Sequence, residues 1–244
     1  MSRPIRAAVA SALSSSSALL GWVRRAYCAL GFGTRTESDF LFALARKQKN
    51  VFVLQVGAND GVTNDPIHQF VTRYKWKGLL LEPLPDIFEK LQHNYQNEDG
   101  IVLHNAALAD RDGVMTFYRI KAGADVPEWC NGLGSFSRET VLSHKNRFPL
   151  IENHVVEQAV EALSFSTLVV KHGITAIDVI MIDAEGYDYE VLQQIDFQRF
   201  RPSLVIYEQI HLSDAVKRAS IEMLNKAGYD VHNSYNMNFV AVRR

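Results

Sequence analysis

The feature that most constrains the fold of this chain is a run of apolar and β-branched residues followed by a glycine-containing loop. Residues 51–61 read V-F-V-L-Q-V-G-A-N-D-G. Such a run is typical of a buried parallel strand, and glycine permits the sharp turn that follows it. Four apolar residues then recur at helical spacing: Ile67, Phe70, Val71 and Tyr74. Strand, glycine loop and helix are the opening unit of a nucleotide-binding α/β fold.

The spacing of the glycines and the end of the next strand indicate the kind of ligand. Gly57 and Gly61 form G-x-x-x-G, which differs from the dinucleotide fingerprint G-x-G-x-x-G and from the phosphate-binding loop G-x-x-x-x-G-K-[ST]. The apolar residues 78–81 end in Glu82, where an acid is placed to accept hydrogen bonds from both hydroxyls of a ribose. Each feature alone is better explained by a turn or a solvated strand end, but the pair favours an adenosyl ligand.

Length, composition and charge describe a single globular domain. The 244 residues are 47% hydrophobic and carry a net charge of −1, which suits one α/β core and gives no argument for a nucleic-acid partner. Cys28 and Cys130 match no metal-binding spacing, and this cysteine usage is typical of a reducing compartment. We therefore expect a cytoplasmic protein that binds a small molecule or a glycan, with the oligomeric state left open.

The first 36 residues differ from the rest and are predicted to form an extension before a domain at 37–244. They are rich in arginine and serine and contain no acid, since Glu37 is the first. This composition resembles an organelle transit peptide. A loosely held helical extension with basic residues on its solvent-facing side is the favoured explanation, and residues 7–23 are too weakly apolar for a firm membrane span. Organelle targeting or peripheral membrane association through residues 1–36 is therefore the alternative location.

Two further segments have a functional and an ordinary interpretation. Residues 121–149 are the least regular part of the chain and hold Trp129 and a glycine-serine run, so they predict either a lid over a polar substrate or a disordered excursion. Small residues follow the predicted third strand at 101–104. Ala106 among them leaves room for a flat adenine ring, although ordinary loop packing accounts for it as well.

A second group of polar residues follows two late strands. Residues 177–182 lead to Asp183 and Glu185, and residues 204–207 lead to Glu208. In open parallel sheets, ligands bind outside the carboxyl ends of the strands. The alternative for Asp183 is a cap on the following helix.

At these residues the chain resembles the FkbM family of S-adenosylmethionine-dependent methyltransferases. The resemblance covers roughly residues 52–208, and its most specific pieces are V-G-A-N-D-G and I-D-A-E-G-Y-D. The family implies a Rossmann-like class I methyltransferase fold, with a mostly parallel central sheet, helices on both faces and an antiparallel last strand. It also implies transfer of a methyl group to a hydroxyl, often on a sugar or polyketide.

The resemblance also implies residue roles. It assigns cofactor binding to the loop residues Gly57, Ala58, Asn59 and Gly61, the ribose to Glu82, and the methionine end to Asp183. An alcohol acceptor gains from a base within hydrogen-bond reach. Four residues follow the late strands as candidate catalytic groups: Asp183, Glu185, Glu208 and His211. Imidazole ordinarily titrates nearest neutral pH, so His211 is the candidate base, with a surface-loop residue as the alternative. The carboxylates would suit Mg²⁺, but the sequence assigns no metal ligands.

Two departures from the family pattern keep other functions open. Gln55 stands where many methyltransferases carry an acid, and Met181 stands where many family members have lysine. Gln55 keeps open a non-catalytic module that binds S-adenosylmethionine without turnover. An NAD-type oxidoreductase is disfavoured because the third glycine of its fingerprint and a Tyr-x-x-x-Lys pair are missing.

Overall fold

The computed structural model describes residues 35–234 and 237–244. The predictions made for the Arg/Ser-rich start therefore fall almost entirely outside the described residues. Within those described residues, no helix is both long enough and apolar enough to cross a bilayer.

Seven strands form the central sheet. They are β1 (Phe52–Val56), β2 (Lys77–Leu81), β3 (Ile101–His104), β8 (Val179–Ile182), β9 (Leu204–Glu208), β10 (Tyr229–Asn233) and β11 (Asn238–Arg243), with β4–β7 in a second sheet described below. Their order is β10-β11-β9-β8-β1-β2-β3, and β11 pairs antiparallel with both of its neighbours while the other pairs are parallel. The predicted mostly parallel sheet with an antiparallel last strand is thus confirmed.

Helices cover both faces of this sheet, as predicted. The seven helices in the described residues are α1 (Glu37–Lys47), α2 (His68–Tyr74), α3 (Pro85–Tyr95), α4 (Arg138–Leu142), α5 (Phe165–Lys171), α6 (Asp188–Gln194) and α7 (Asp214–Lys226). Successive residues of β1 alternate between two buried clusters: Leu54 packs with residues of α5–α7, whereas Val53 packs with residues of α1–α3. This alternation follows from the two-residue period of a strand and explains why the strands are apolar throughout.

A smaller sheet of four strands lies beside the main one. Its strands are β4 (Ala107–Leu108), β5 (Gly113–Ile120), β6 (Gly134–Ser135) and β7 (Val155–Leu163), in the order β4-β7-β5-β6. Asp112 and Gly113 predict a hairpin turn, and this is wrong, because β4 and β5 both pair with β7. The Asp112 carboxylate instead accepts hydrogen bonds from the Ser164 N–H and the Thr167 hydroxyl, each at 2.7 Å, and so anchors the start of α5.

Residues 121–149 are ordered around a small apolar cluster of their own. Cys130, Leu133 and Val141 are buried there with Ile120 and Ile151. Only short elements occur in this stretch: β6, α4 and single-turn 3₁₀ helices at Glu128–Cys130 and Ser143–Asn146. The segment is therefore irregular but packed. Its residues Gly132, Gly134 and Phe136 lie near the carboxyl ends of the main-sheet strands.

Candidate active site

The loop after β1 needs its glycines for contacts within the protein. Gly57 and Gly61 have φ angles of +76° and +73°, which side chains rarely tolerate. A Cβ atom on Gly57 would lie 1.8 Å from the carbonyl oxygen of Asp183, and one on Gly61 would lie 2.3 Å from the ring of Tyr95. The loop is thus pressed against the end of β8 on one side and against α3 on the other.

Glu82 joins this loop to the end of β2. Its two carboxylate oxygens accept hydrogen bonds from the backbone N–H groups of Asn59 and Leu84, each at 2.9 Å. The side chain is buried, and burial raises its pKa to about 7 against the lowering effect of these two hydrogen bonds. A carboxylate has about four acceptor sites, so Glu82 keeps acceptor capacity for hydroxyl groups of a ligand.

A cavity of about 580 Å³, including space open to solvent, lies outside these strand ends. We call it the smaller cavity. Residues from the β1 loop, the β2 and β3 ends, β5, the 121–149 segment and the β8 end line it: Val56, Gly57, Asn59, Glu82, Pro83, Leu84, Ala106, Ala107, Leu108, Phe117, Gly132, Gly134, Phe136, Asp183, Ala184 and Glu185.

The structure brings most of the sequence-predicted cofactor residues to this cavity. Gly57, Asn59, Glu82, Ala106 and Asp183 line it. The remaining two predicted residues shape the loop instead. Ala58 is buried in the core below and donates its N–H to the Leu81 carbonyl at 2.8 Å. Gly61 is buried against α3.

Asp183 lies where the smaller cavity meets a larger cleft of about 1,550 Å³, including space open to solvent. The residue is exposed and lines both spaces. Desolvation by the surrounding protein is the main effect that raises the pKa of Asp183 well above the usual range for a carboxyl. The charges of Glu185 and Asp188 raise it further. The larger cleft is lined by Glu37, Ser38, Val62, Asn64, Asp65, Pro66, Gln69, Met181, Asp183, Glu208, Met237 and Asn238.

Asp188 holds the backbone of the loop after β8 and the end of β9 in place, a role that the sequence pattern did not assign. It is 1% exposed, and its carboxylate accepts hydrogen bonds from the N–H groups of Ala184, Gly186 and Glu208 at 3.2–3.4 Å. Burial raises its pKa to about 7. Its position at the first residue of α6 was the available signal, since acids are favoured there. Asp188 therefore ties the loop after β8 to the end of β9.

Glu208 and His211 face Glu185 across the same strand ends. His211 Nε2 lies 3.2 Å from Glu185 Oε2 and 3.7 Å from Glu208 Oε2, and the His211 side chain is 11% exposed. Burial, followed by the charge of Asp183, raises the pKa of Glu208 to about 10. All four predicted catalytic residues, Asp183 among them, are thus brought to one place.

The 121–149 segment contributes to this place in ways the sequence did not predict. The Ser135 hydroxyl donates to the Glu185 carbonyl at 2.7 Å. The ring of His144 lies 5.2 Å from the ring of His211, centroid to centroid. No motif marks His144, because a lone histidine in an irregular segment has no spacing signal. Its position depends on how the segment folds back over the sheet.

The departure at Gln55 also has a structural context. Gln55 is 3% exposed, and its side-chain oxygen has no hydrogen-bond partner among the described residues. Asp65, from the stretch before α2, lies beside it. Burial raises the pKa of Asp65 to about 7, partly offset by the Ile67 N–H, which donates to its carboxylate at 2.7 Å, and by the Gln55 amide. Asp65 thus supplies a carboxyl close to the position where many methyltransferases carry one on the strand.

A family model described as the methyltransferase FkbM domain matches residues 55–231. The match spans most of the chain and contains both groups of strand-end residues. This chain belongs to the FkbM methyltransferase family. Its strand order and its reversed β11 are those of the class I, Rossmann-like methyltransferase fold. No curated protein matches the chain.

Solved structures with similar folds include several methyltransferases. The FkbM methyltransferase of Methylobacillus flagellatus KT is 12% identical with a TM-score of 0.49, over 79% of this chain and 43% of that chain. The precorrin-6y C5,15-methyltransferase of Geobacter metallireducens GS-15 is 11% identical with a TM-score of 0.42, over 81% and 83%. Aeropyrum pernix fibrillarin with natively bound S-adenosylmethionine is 10% identical with a TM-score of 0.40, over 80% and 67%. Similarity at this level supports no argument about substrate, and this chain spans less than half of the first protein.

Proposed function

We propose that this protein is an S-adenosylmethionine-dependent methyltransferase that methylates a hydroxyl group of a small molecule or sugar. One observation carries the proposal. The charged side chains that line the smaller cavity are Glu82, Asp183 and Glu185, all acids. A cavity lined in this way suits a cationic sulfonium and disfavours the pyrophosphate of NAD, which binds best at donors and positive charge.

The lining residues fit the parts of this cofactor. Glu82 would accept hydrogen bonds from the ribose hydroxyls. The apolar side chains of Ala106, Phe117 and Phe136 would contact the adenine. Asp183, at the junction with the larger cleft, would face the methionine end. When bound, the cofactor supplies a methyl group on a positively charged sulfur, and its transfer depends mainly on the alignment of donor and acceptor.

The residues at the ends of β8 and β9 would prepare the acceptor. The His211 imidazole would take the hydroxyl proton, and the nearby Glu185 and Glu208 carboxyl groups would stabilise the imidazolium that forms. Asp183 would orient the reacting groups. Asp188 does not touch the reacting atoms in this scheme, but it holds the backbone that carries Glu185 and Glu208.

The charges around the larger cleft bear on the acceptor. Four of the residues that line it are acids, Glu37, Asp65, Asp183 and Glu208, and the lining residues that the structure describes include no lysine or arginine. Such a surface offers phosphate groups no positively charged partner among these residues. We therefore propose a neutral or cationic hydroxylated acceptor rather than a nucleic acid. The 121–149 segment, which lines the smaller cavity, would cover the reacting groups.

Calorimetry with S-adenosylmethionine, S-adenosylhomocysteine and NAD tests the cofactor. We expect both sulfur compounds to bind and NAD to fail, and binding of NAD alone would overturn the proposal. Turnover is tested by formation of S-adenosylhomocysteine with a panel of sugars and other alcohols. Binding of both sulfur compounds without turnover on any acceptor would favour the non-catalytic module instead.

A further inference from the structure

Two histidines and a glutamate converge where the 121–149 segment meets the ends of β8 and β9. His144, Glu185 and His211 each offer one ligand atom, and the three atoms lie within 4.8 Å of one another. His144 comes from the single-turn helix Ser143–Asn146, whereas Glu185 and His211 follow β8 and β9. Residues far apart in sequence are thus gathered around one point.

Buried nitrogen atoms of both histidines lack hydrogen-bond partners in the described part of the chain, although His211 Nε2 lies 3.2 Å from the Glu185 carboxylate. The Nε2 atoms of both His144 and His211 are buried and have none within the described part of the chain, and the same holds for Glu208 Oε2. Buried polar atoms are nearly always paired, so an unpaired set that converges indicates a missing partner. A cation bound by the two histidine nitrogen atoms would supply it.

We propose that His144, Glu185 and His211 bind a divalent transition-metal ion, with Zn²⁺, Co²⁺, Mn²⁺ and Fe²⁺ as candidates. Two imidazoles and one carboxylate are ligands that these ions prefer, whereas Mg²⁺ and Ca²⁺ prefer oxygen. Ligand atoms of a tetrahedral site with bonds of ~2.1 Å lie roughly 3.4 Å apart. His211 Nε2 and Glu185 Oε2, at 3.2 Å, already meet that spacing, and the His144 ligand atom lies within 4.8 Å of the other two ligand atoms.

The site leaves room for a further ligand. Glu185 also lines the smaller cavity, and three protein ligands with an open position are the pattern of catalytic rather than structural sites. A bound dication would lower the pKa of a coordinated hydroxyl. It would then replace the free His211 imidazole as the group that activates the acceptor, and the hydroxyl proton would pass to solvent water. This role rests on the proposed function, but the binding site itself does not.

Metal binding is measured directly, without cofactor or acceptor. The protein is stripped with EDTA and titrated with Zn²⁺ or Co²⁺ by calorimetry and by the visible absorption of Co²⁺. We expect one equivalent to bind and the unfolding midpoint to rise. Absence of saturable uptake at millimolar metal would overturn the proposal whatever the methyltransferase assays give.

Two variants and a control locate the site. His144→Phe keeps a ring in contact with His211 but removes the nitrogen that would bind the metal. Glu185→Gln removes the negative charge with little change in shape. Loss of a group that merely orients a ligand costs about 10–100-fold in metal affinity, so loss of a ligand should cost at least about 100-fold. His93→Ala, at an exposed position on α3, should bind like the parent. Parent-like binding in His144→Phe would overturn the assignment.

One measurement needs no variant and covers the case in which a variant fails to fold. X-ray absorption of the Zn²⁺-loaded parent should show scattering from two imidazole ligands. A shell of oxygen atoms alone would overturn the proposal, even if zinc binds tightly.

Discussion

Two glutamates at the carboxyl ends of β2 and β9 belong to the same sheet edge but differ in their hydrogen bonding. Glu82 has both carboxylate oxygens paired with backbone N–H groups, and burial raises its pKa to about 7. Glu208 has a buried oxygen without a hydrogen-bond partner among the described residues, and burial raises its pKa to about 10. At the β2 end, both oxygens of the Glu82 carboxylate are therefore hydrogen-bonded within the protein, whereas at the β9 end Glu208 leaves a buried oxygen for a proton, a cation or a ligand.

This difference assigns separate tasks to the two ends. A paired, buried carboxylate is already oriented and can bind hydroxyl groups at little reorganisation cost. Unpaired buried groups cost stability and persist where function requires them. We therefore expect changes at the β1–β2 end to alter cofactor affinity and changes at the β8–β9 end to alter turnover.

The largest expected effect is at Gly57, which connects the two ends. In Gly57→Val the new side chain would overlap the Asp183 carbonyl, at 1.8 Å from its Cβ, and the φ angle of +76° adds strain. We expect a loss of stability of about 3 kcal/mol or more and no measurable binding of S-adenosylmethionine by calorimetry.

Gly123→Val is the matched control for Gly57→Val. Gly123 has a φ angle of +71°, but a Cβ atom at this position would have no atom of the described residues within 4 Å, so the variant carries the backbone strain without the overlap. It should cost about 1–2 kcal/mol and leave binding unchanged. Equal losses in the two variants would mean that backbone strain, and not the contact with Asp183, explains the requirement for glycine.

The next effect is at His211 and should appear in turnover alone. His211→Ala is expected to reduce the rate by about 10²–10⁴, because the acceptor hydroxyl loses its base or its metal. The affinity for S-adenosylmethionine should stay within a few-fold of the parent value. Single-turnover rates and calorimetry on the same preparations measure both quantities, and a weakened cofactor affinity at an unchanged rate would contradict the division of tasks.

Glu82→Ala should give the reverse pattern with a smaller effect. Loss of a charged acceptor for two hydroxyls costs roughly 1.5–3 kcal/mol, or about one to two decades in affinity. The rate at saturating cofactor should change little. Glu89→Ala, at an exposed position on α3, is the control. Parent-like affinity in Glu82→Ala would show that the ribose does not bind at Glu82.

The β1–β2 end was the more predictable of the two because its signals are local. The strand, the glycine loop and the strand-end acid occur in order within about thirty residues, and each follows from backbone conformation or from strand geometry. What the sequence did not reveal is the reason for the glycines. Gly57 contacts the backbone of Asp183, more than a hundred positions later, and no local pattern reports a contact of that kind.

The β8–β9 end was predictable only in part. Asp183, Glu185 and Glu208 follow apolar strands, so their common edge could be expected. His144 could not, because its place depends on the packing of the 121–149 segment around Cys130, Leu133 and Val141. The turn at Asp112 failed for a related reason: the partner of β5 is β7, which is formed by residues that follow that segment.

The smallest effect concerns Asp65 and tests whether burial of acids also costs stability at the β1–β2 end. Burial raises the pKa of Asp65 from 3.8 to about 7, so the folded protein holds this proton more tightly than the unfolded chain. The contribution to stability is complete below about pH 4 and is lost as the pH rises through 7. Asp65→Asn cannot ionise, and its amide can donate to the unpaired Gln55 oxygen. We expect it to be more stable than the parent by about 1–2 kcal/mol at pH 8, with a smaller difference at pH 5, measured by urea unfolding.

Asp60→Asn is the matched control from the same loop. Burial there is outweighed by hydrogen bonds from Thr63 and Val62, which lower the pKa of Asp60, so its replacement should destabilise the protein at neutral pH. A parent-like pH dependence in Asp65→Asn would mean that the Asp65 carboxyl is hydrated in solution, and the unpaired acids of the β8–β9 end would then be the main ones whose burial costs stability.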